Sequence, residues 1–331
     1  KKRAEFLLLP VDLYGAGYIG SVKVATYLAP VGSAEMEERI PKYLKKDKIT
    51  IVRGHGPFAR GASVEEVLQN LSILENSSTL LIYLKRRGID IRRIQTALLK
   101  AGPKTVFPVS LEAPAEYENC FKEVKDESII KDFTQRLTYN YNYRISAYGT
   151  GSMSQKISAD QFIYSPLSSL PEGFDFPLTR KRIQFEESDD LNLKLHKLIY
   201  KYTNQTTCMI TTNPMATAEG MICLYDQYGV DAVLGKSNQI SYHPTSHPVI
   251  RPIDAEAVYL NPKVGLVDLS VLNDTSKENP ILNMLRWYKG CCVVSGLGVI
   301  STGRTTLEQA AHNASSAERI AGFRNQVYLN S

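Results

Sequence analysis

Two stretches far apart in the chain carry the same order of apolar and polar positions. In the first, Ile49-Thr50-Ile51-Val52 reads as a short β-branched strand that ends in Gly54-His55-Gly56, crosses Pro57-Phe58-Ala59-Arg60 and reaches Gly61. Apolar residues then recur at helical spacing, at Val64, Val67, Leu68, Leu71 and Leu74, behind Ser63 and Glu66, which have the spacing of a capping box. In the second, Cys291-Cys292-Val293-Val294 is the strand and Gly296-Leu297-Gly298 the turn, and Val299-Ile300-Ser301-Thr302 leads to Gly303. Thr305 and Glu308 form the expected box, with Leu307, Ala310, Ala311, Ala314 and Ala317 behind it, one residue out of step with the first helix. Pro10-Val11-Asp12 precedes the first stretch as Pro252-Ile253-Asp254 precedes the second. Agreement over this length predicts a unit present twice.

The first helix is expected to run to Leu84 and to stop at Lys85-Arg86-Arg87-Gly88, where cations in a last turn and a following glycine suit a helix end. A second helix, from Ile91 to Leu99, leads to Gly102-Pro103, which divides the chain into residues 1–103 and 104–331. Beyond it the pattern predicts a helix from Ile129 to Leu137, a hairpin-rich region, a helix from Leu191 to Tyr202, further strands and the final strand–turn–helix. Tyr139, Tyr141, Tyr143 and Tyr148 alternate as on a packed strand face. Strands with helices on their faces give an α/β sandwich.

Composition narrows the functional classes. The 331 residues have room for about two domains. A formal net charge of +5 is too small to point to nucleic acid. No apolar run approaches the roughly 20 residues that span a bilayer, and no signal-peptide core is present. Cys120, Cys208, Cys223, Cys291 and Cys292 are odd in number and scattered, which suits reduced thiols in the cytoplasm. The chain passes from Lys1-Lys2-Arg3 straight into the strand-like Phe6-Leu7-Leu8-Leu9, so the first unit is expected to be a truncated copy.

These residues resemble a known family. Gly54-His55-Gly56 with Gly61, followed by the capped helix through Leu74-Glu75, resembles the C-terminal signature of class II aldolases and adducin heads, among them L-fuculose-phosphate and L-ribulose-phosphate enzymes. The turn from Gly149 to Ser154 is similar to the family's Gly-Asn-x-Ser turn, and Tyr164-Ser165-Pro166 stands at its Thr-Pro-Ser-Gly loop. The run from Leu195 to Tyr200 resembles its His-x-x-x-Tyr helix. The resemblance implies a class II aldolase-like αβα sandwich in tandem duplication. It also implies aldol cleavage or epimerisation of a sugar phosphate, assisted by a divalent ion such as zinc held by three histidines, with a glutamate moving the proton. In that family the sites lie between subunits of a four-fold ring, which implies a homo-oligomer with pseudo-four-fold symmetry.

Carried over position by position, the second unit has Asn192 for the glutamate, Thr211-Thr212-Asn213 for the His-x-His strand and Leu297 for the third histidine. It therefore resembles a degenerate copy. Ser152, Ser154 and Ser168 remain as candidates for contacting a phosphate. The first unit keeps His55 as the candidate metal ligand. Two readings follow: an enzyme whose site belongs to the first unit with the second as scaffold, or a non-catalytic, adducin-like oligomerising protein. Of the remaining candidates, His243 and His247 are expected on a proline-rich surface loop. His312 is expected on a polar helix face, and Glu186, Glu187, Asp189 and Asp190 as acidic company for a helix N-terminus.

Overall fold

The computed structural model describes residues 5–27, 31–101, 124, 126–166, 178–187 and 189–330. Among them the strands form two sheets. The first contains β1 (Phe6–Leu8), β2 (Val22–Ala25), β3 (Ile49–Val52) and β4 (Gly56–Ala59), neighbouring in that order. The second contains β5 (Ser152–Lys156), β6 (Gln161–Pro166), β7 (Thr179–Arg182), β8 (Thr207–Thr211), β9 (Val249–Ile250), β10 (Val264–Val267), β11 (Cys291–Val294) and β12 (Gly298–Gly303). Its order is β7-β6-β5-β8-β12-β11-β10-β9.

The first sheet and the β9–β12 half of the second share order, direction and register. β1 and β2 pair antiparallel with Leu8 opposite Val22, as β9 and β10 pair with Ile250 opposite Val264. β2 and β3 are parallel, Lys23 against Thr50, as are β10 and β11, Gly265 against Cys292. β3 and β4 form a hairpin with Val52 opposite Gly56, and β11 and β12 one with Val294 opposite Gly298. Each C-terminal partner lies 242 positions beyond its N-terminal counterpart, as Val294 lies beyond Val52. One difference matters for function. β12 is paired on both sides, with β11 and with β8, whereas β4 is paired with β3 alone among the described residues.

Helices cover both sheets. They are α1 (Ala34–Leu44), α2 (Val64–Arg86), α3 (Ile91–Ala101), α4 (Glu127–Asn142), α5 (Leu191–Tyr202), α6 (Pro214–Tyr228), α7 (Val230–Val233), α8 (Ala255–Leu260), α9 (Pro280–Trp287) and α10 (Leu307–Asn330). α2 starts where its cap predicts, with Ser63 Oγ accepting the Glu66 N–H at 3.3 Å. The Glu66 carboxylate takes the Ala62 N–H at 2.6 Å. α10 departs from expectation by one residue: Thr306 Oγ1 accepts the Gln309 N–H and Gln309 Oε1 the Arg304 N–H, so Thr306 and Gln309 make the cap instead of Thr305 and Glu308. The expected tyrosine strand is absent: Tyr139 and Tyr141 lie in α4, which continues to Asn142, and Tyr143 and Tyr148 follow in turns. Tyr139 and Tyr143 stack one helical turn apart, at 4.5 Å between ring centroids, and Tyr139 bonds Ser315 on α10.

The buried core is continuous across residue 103. One cluster holds Val11, Leu13, Ile73 and Leu80 together with Leu195, Leu198, Leu266 and Val293. At its edge the buried Glu219 of α6 receives Arg87 Nη1 at 2.7 Å and Arg324 Nε at 2.6 Å. One guanidinium comes from the end of α2 and the other from α10, so the carboxylate ties three helices.

Candidate functional site

Strand pairing brings three of the candidate positions of the second unit together. Val299 lies opposite Thr211, which sets the β11–β12 turn beside the end of β8. The approach is close: a Cβ on Gly298 would stand 1.9 Å from the Thr211 carbonyl oxygen, and its φ of 143° favours glycine. Thr211 Oγ1 donates to Asn213 Oδ1 at 2.5 Å, and Asn213 Nδ2 donates to the Ala314 carbonyl at 3.3 Å. Leu297 is buried in the core. Every polar group here is neutral and engaged with its own chain.

The space in front of these residues is filled by the first unit. After β1 the chain passes through Val11, Leu13 and Tyr14 into a π-helical turn at Gly15–Ile19. The Leu13 N–H donates to the Gly296 carbonyl at 2.7 Å. The buried Tyr14 hydroxyl accepts from the Gly151 N–H and from Asn192 Nδ2, both at 3.1 Å. Burial pushes its phenol above the ordinary tyrosine range, which keeps it neutral. Tyr14 thus pairs with both the glycine turn and the amide nitrogen of Asn192, whose Oδ1 stays buried without a partner. α2 closes the turn from outside: Gln69 Nε2 donates to the Gly149 carbonyl at 2.8 Å, and Ser72 Oγ accepts the Tyr148 N–H at 2.8 Å.

Ser152 and Ser154 lie inside, fully buried. His196 Nε2 bonds Ser152 Oγ at 2.8 Å, His196 Nδ1 bonds Ser154 Oγ at 2.5 Å, and Ser154 Oγ bonds the Tyr200 hydroxyl at 2.6 Å. The four side chains form one buried linear series, Ser152–His196–Ser154–Tyr200, with no charged member. Loss of solvation holds the imidazole far below its ordinary value, at about 3. Both serine hydroxyls are therefore committed to His196 and not presented to an incoming anion. Ser168 lies outside the described residues.

His55 is placed very differently. It sits at the β3–β4 turn, exposed, its N–H donating to the Val52 carbonyl at 3.0 Å and its ring stacked on Phe58 at 4.9 Å. Among the described residues no group of three or more His, Cys, Asp or Glu side chains is gathered to hold a metal. The described residues therefore do not by themselves form the three-histidine centre that the resemblance implies.

The other candidates find ordinary surroundings. His243 and His247 sit on a loop: His243 bonds Thr245, and His247 contacts the Tyr288 hydroxyl and tilts against Trp287. His312 is exposed. Asp190 caps α5 through the Leu193 N–H at 2.7 Å. Asp189 instead pairs with the buried Lys197 at 2.7 Å, a partnership the acidic run did not announce. Tyr14 was equally hidden, since its counterpart 242 positions on is Glu256 and comparison of the repeats passes it by.

Residues 4–82 match a family model described as Class II Aldolase and Adducin N-terminal domain. No curated protein matches the chain. Among solved structures it is similar to L-fuculose-1-phosphate aldolase from Thermus thermophilus, at 14% identity and a TM-score of 0.46 over 61% of this chain and 96% of that one. It is also similar to a sugar-phosphate aldolase from Thermotoga maritima, at 11% identity and a TM-score of 0.38 over 60% of this chain and 94% of that one. L-fuculose 1-phosphate aldolase from Glaciozyma antarctica gives 13% identity and a TM-score of 0.38 over 67% of this chain and 78% of that one. Identities this low leave the class resting on the family match. Over residues 4–82 the chain carries the class II aldolase and adducin pattern, on a mixed α/β fold.

Proposed function

We propose that this chain is a class II aldolase-like protein that cleaves or epimerises a sugar phosphate, with its reacting centre in the first unit, residues 1–103. The second unit, residues 104–331, is the scaffold. The observation that carries this reading is the contrast between two turns of one register. Gly54-His55-Gly56 presents an exposed imidazole, whereas Gly296-Leu297-Gly298 presents a buried leucine and accepts the Leu13 N–H at the Gly296 carbonyl. A group that must meet a substrate has to be reachable, and of the two turns only the first is.

In this reading His55 is one ligand of a divalent, zinc-like ion, and the remaining ligands come from residues other than the described ones. The assembly is a homo-oligomeric ring of such units. The free thiols of Cys208, Cys223, Cys291 and Cys292 fit a reducing compartment, the cytoplasm. No helix among the described residues is long and apolar enough to cross a membrane.

The test is elemental analysis of the protein isolated from its natural source, beside His55→Ala. One divalent ion per chain, lost in the variant, is expected. Absence of a stoichiometric ion from the unaltered protein overturns the metal reading. Release of a triose phosphate from L-fuculose 1-phosphate or L-ribulose 1-phosphate tests the reaction class.

A further inference from the structure

The net charge of the chain is gathered at one corner, where α2 ends and α3 begins. From Ile82 to Lys100 there are six Lys and Arg against a single Asp, and the 33 cations left elsewhere (39 less six) balance the 33 carboxylates (34 less one). Arg87 is bound to the buried Glu219. Lys85, Arg86, Arg92, Arg93 and Lys100 are exposed, and among the described residues none of them pairs with a carboxylate. Helix-end chemistry accounts for only part of this. Lys85 and Arg86 in the last turn of α2 suit its dipole, but Arg92 and Arg93 occupy the first turn of α3, where cations oppose it and no acidic residue accompanies them. Asp90, just before the helix, accepts the Arg93 N–H at 3.2 Å and caps the backbone alone. Two aliphatic side chains stand out among these cations, Ile82 at 50% exposed and Leu99 at 59%. On α3, Arg92, Arg93 and Leu99 share the face opposite Ile94 and Leu98, which are buried in the core.

We propose that the α2–α3 corner, with Ile82, Lys85, Arg86, Arg92, Arg93 and Leu99, docks an acidic amphipathic helix of another protein. Charge complementarity gives the sign of the partner: unpaired cations held against their own helix dipole are stabilised by incoming carboxylates. The two aliphatic side chains choose among anionic partners. A phosphate backbone offers Ile82 and Leu99 nothing to pack against. A lipid surface takes up helices by their apolar face, and the apolar face of α3 is already committed to the core through Ile94 and Leu98. A helix that carries leucines flanked by carboxylates meets both kinds of group at once. The corner also stands apart from the His55 turn. Val64 and Arg86 are the two ends of α2, about 33 Å apart at a rise of about 1.5 Å per residue. Docking there is therefore separate from the reacting centre, and neither reading depends on the other.

The experiment follows the fluorescence anisotropy of a labelled helical peptide of repeating Glu-Glu-Leu-Leu as the full chain is added. Saturable binding is expected, weakened about tenfold or more when salt rises from about 0.05 to about 0.5 M. Arg92→Glu/Arg93→Glu should weaken it about tenfold or more, since attraction becomes repulsion at two positions. Ile82→Ser/Leu99→Ser should weaken it about tenfold as well, by removing the apolar anchors. Acidic side chains suit a helix N-terminus, so the arginine variant should melt no lower than the unaltered chain. A lower melting temperature would show that the two arginines serve the fold and would overturn the proposal. So would absence of saturable binding, binding unchanged in either variant, or tighter binding to duplex DNA or to phosphatidylserine vesicles than to the peptide. Metal content of the same samples reports on His55 alone, so the two readings fail separately.

Discussion

Acid is a direct probe of the second unit, because His196 is sealed at its centre. The imidazole ordinarily takes its proton near 6.5, but inside the Ser152–His196–Ser154–Tyr200 chain it does so only near 3, owing to lost solvation. The unfolded chain therefore binds a proton between these values that the fold refuses. A depressed histidine contributes stability that is complete above pH 6.5 and is lost progressively as pH falls toward 3. At pH 5 the loss is about 2 kcal/mol, from 1.5 pH units at about 1.36 kcal/mol each, and it approaches about 5 kcal/mol near pH 3. Glu318 works in the opposite sense. Burial raises its carboxyl to about 7 even though it accepts the Met215 and Ala216 N–H groups, so its contribution falls as pH rises from 4.5 through 7. The two slopes oppose each other between pH 4.5 and 6.5, and the pH profile of the unaltered protein alone does not separate them. The variant His196→Gln keeps hydrogen-bonding capacity at the position and cannot take up the proton. Urea unfolding of both proteins at pH 7.5 and pH 5 isolates the histidine. The variant should gain about 2 kcal/mol on the unaltered protein between the two conditions. A difference that stays constant with pH would mean that His196 protonates freely within the fold, and the sealed chain would be refuted.

Two further substitutions test the joint between the units. Tyr14→Phe leaves the Gly151 N–H and Asn192 Nδ2 without their buried acceptor, and thermal unfolding should show a loss of about 1–3 kcal/mol. Gly298→Ala and Gly56→Ala compare equivalent turn positions, at φ of 143° and 141°. The second meets only backbone strain, about 1–3 kcal/mol, since no atom lies within 4 Å of its new Cβ. The first also drives a methyl into the Thr211 carbonyl and should prevent folding at 37 °C. Equal melting temperatures for the two variants would contradict the close approach of β8 to β12.

What the sequence disclosed follows a physical boundary between local and distant determinants. α5 spans Leu191–Tyr202 as expected, because apolar period and N-cap lie within one stretch of chain. α2 likewise ends beside Gly88, whose φ of 73° is the left-handed stop that the Lys-Arg-Arg-Gly run announces. The α10 cap fell one residue away because Thr305 and Thr306 are adjacent and either can start the helix. Spacing by two misled at Tyr139 to Tyr143, since the partners that settle the matter, Ser315 and the Tyr139–Tyr143 stack, require the helix to exist. The resemblance singled out Asn192, Thr211, Asn213 and Leu297, and strand pairing sets Thr211 beside the turn that holds Leu297. The place of Tyr14 was not legible, because the bonds that define it reach 137 and 178 residues along the chain.

The two turns differ in how their polar groups are paired: buried ones need partners within the protein, whereas exposed ones are paired by water. In the second unit most of these groups are paired within the chain. Thr211 donates to Asn213, Tyr14 accepts from Gly151 and Asn192, and Leu297 fills the turn with an apolar side chain, while Asn192 Oδ1 and the Ser295 and Ser301 hydroxyls stay buried without a hydrogen-bond partner. In the first unit the corresponding strand edge has no strand partner among the described residues. The Arg60 N–H donates to the Lys48 carbonyl, which sets the parity of β4 and turns the backbone groups of Ala59 away from β3. Their counterparts at Ser301 face β8. Pro57 carries no N–H on that same side, a feature that blunts an open edge against indiscriminate strand pairing. Beside it stand the exposed imidazole of His55 and the exposed Val64 and Leu68 of α2. The same backbone register therefore holds a strand paired on both sides in one unit and, among the described residues, a strand paired on one side in the other. This exposed edge beside the imidazole is the surface on which the proposed reaction is to be tested.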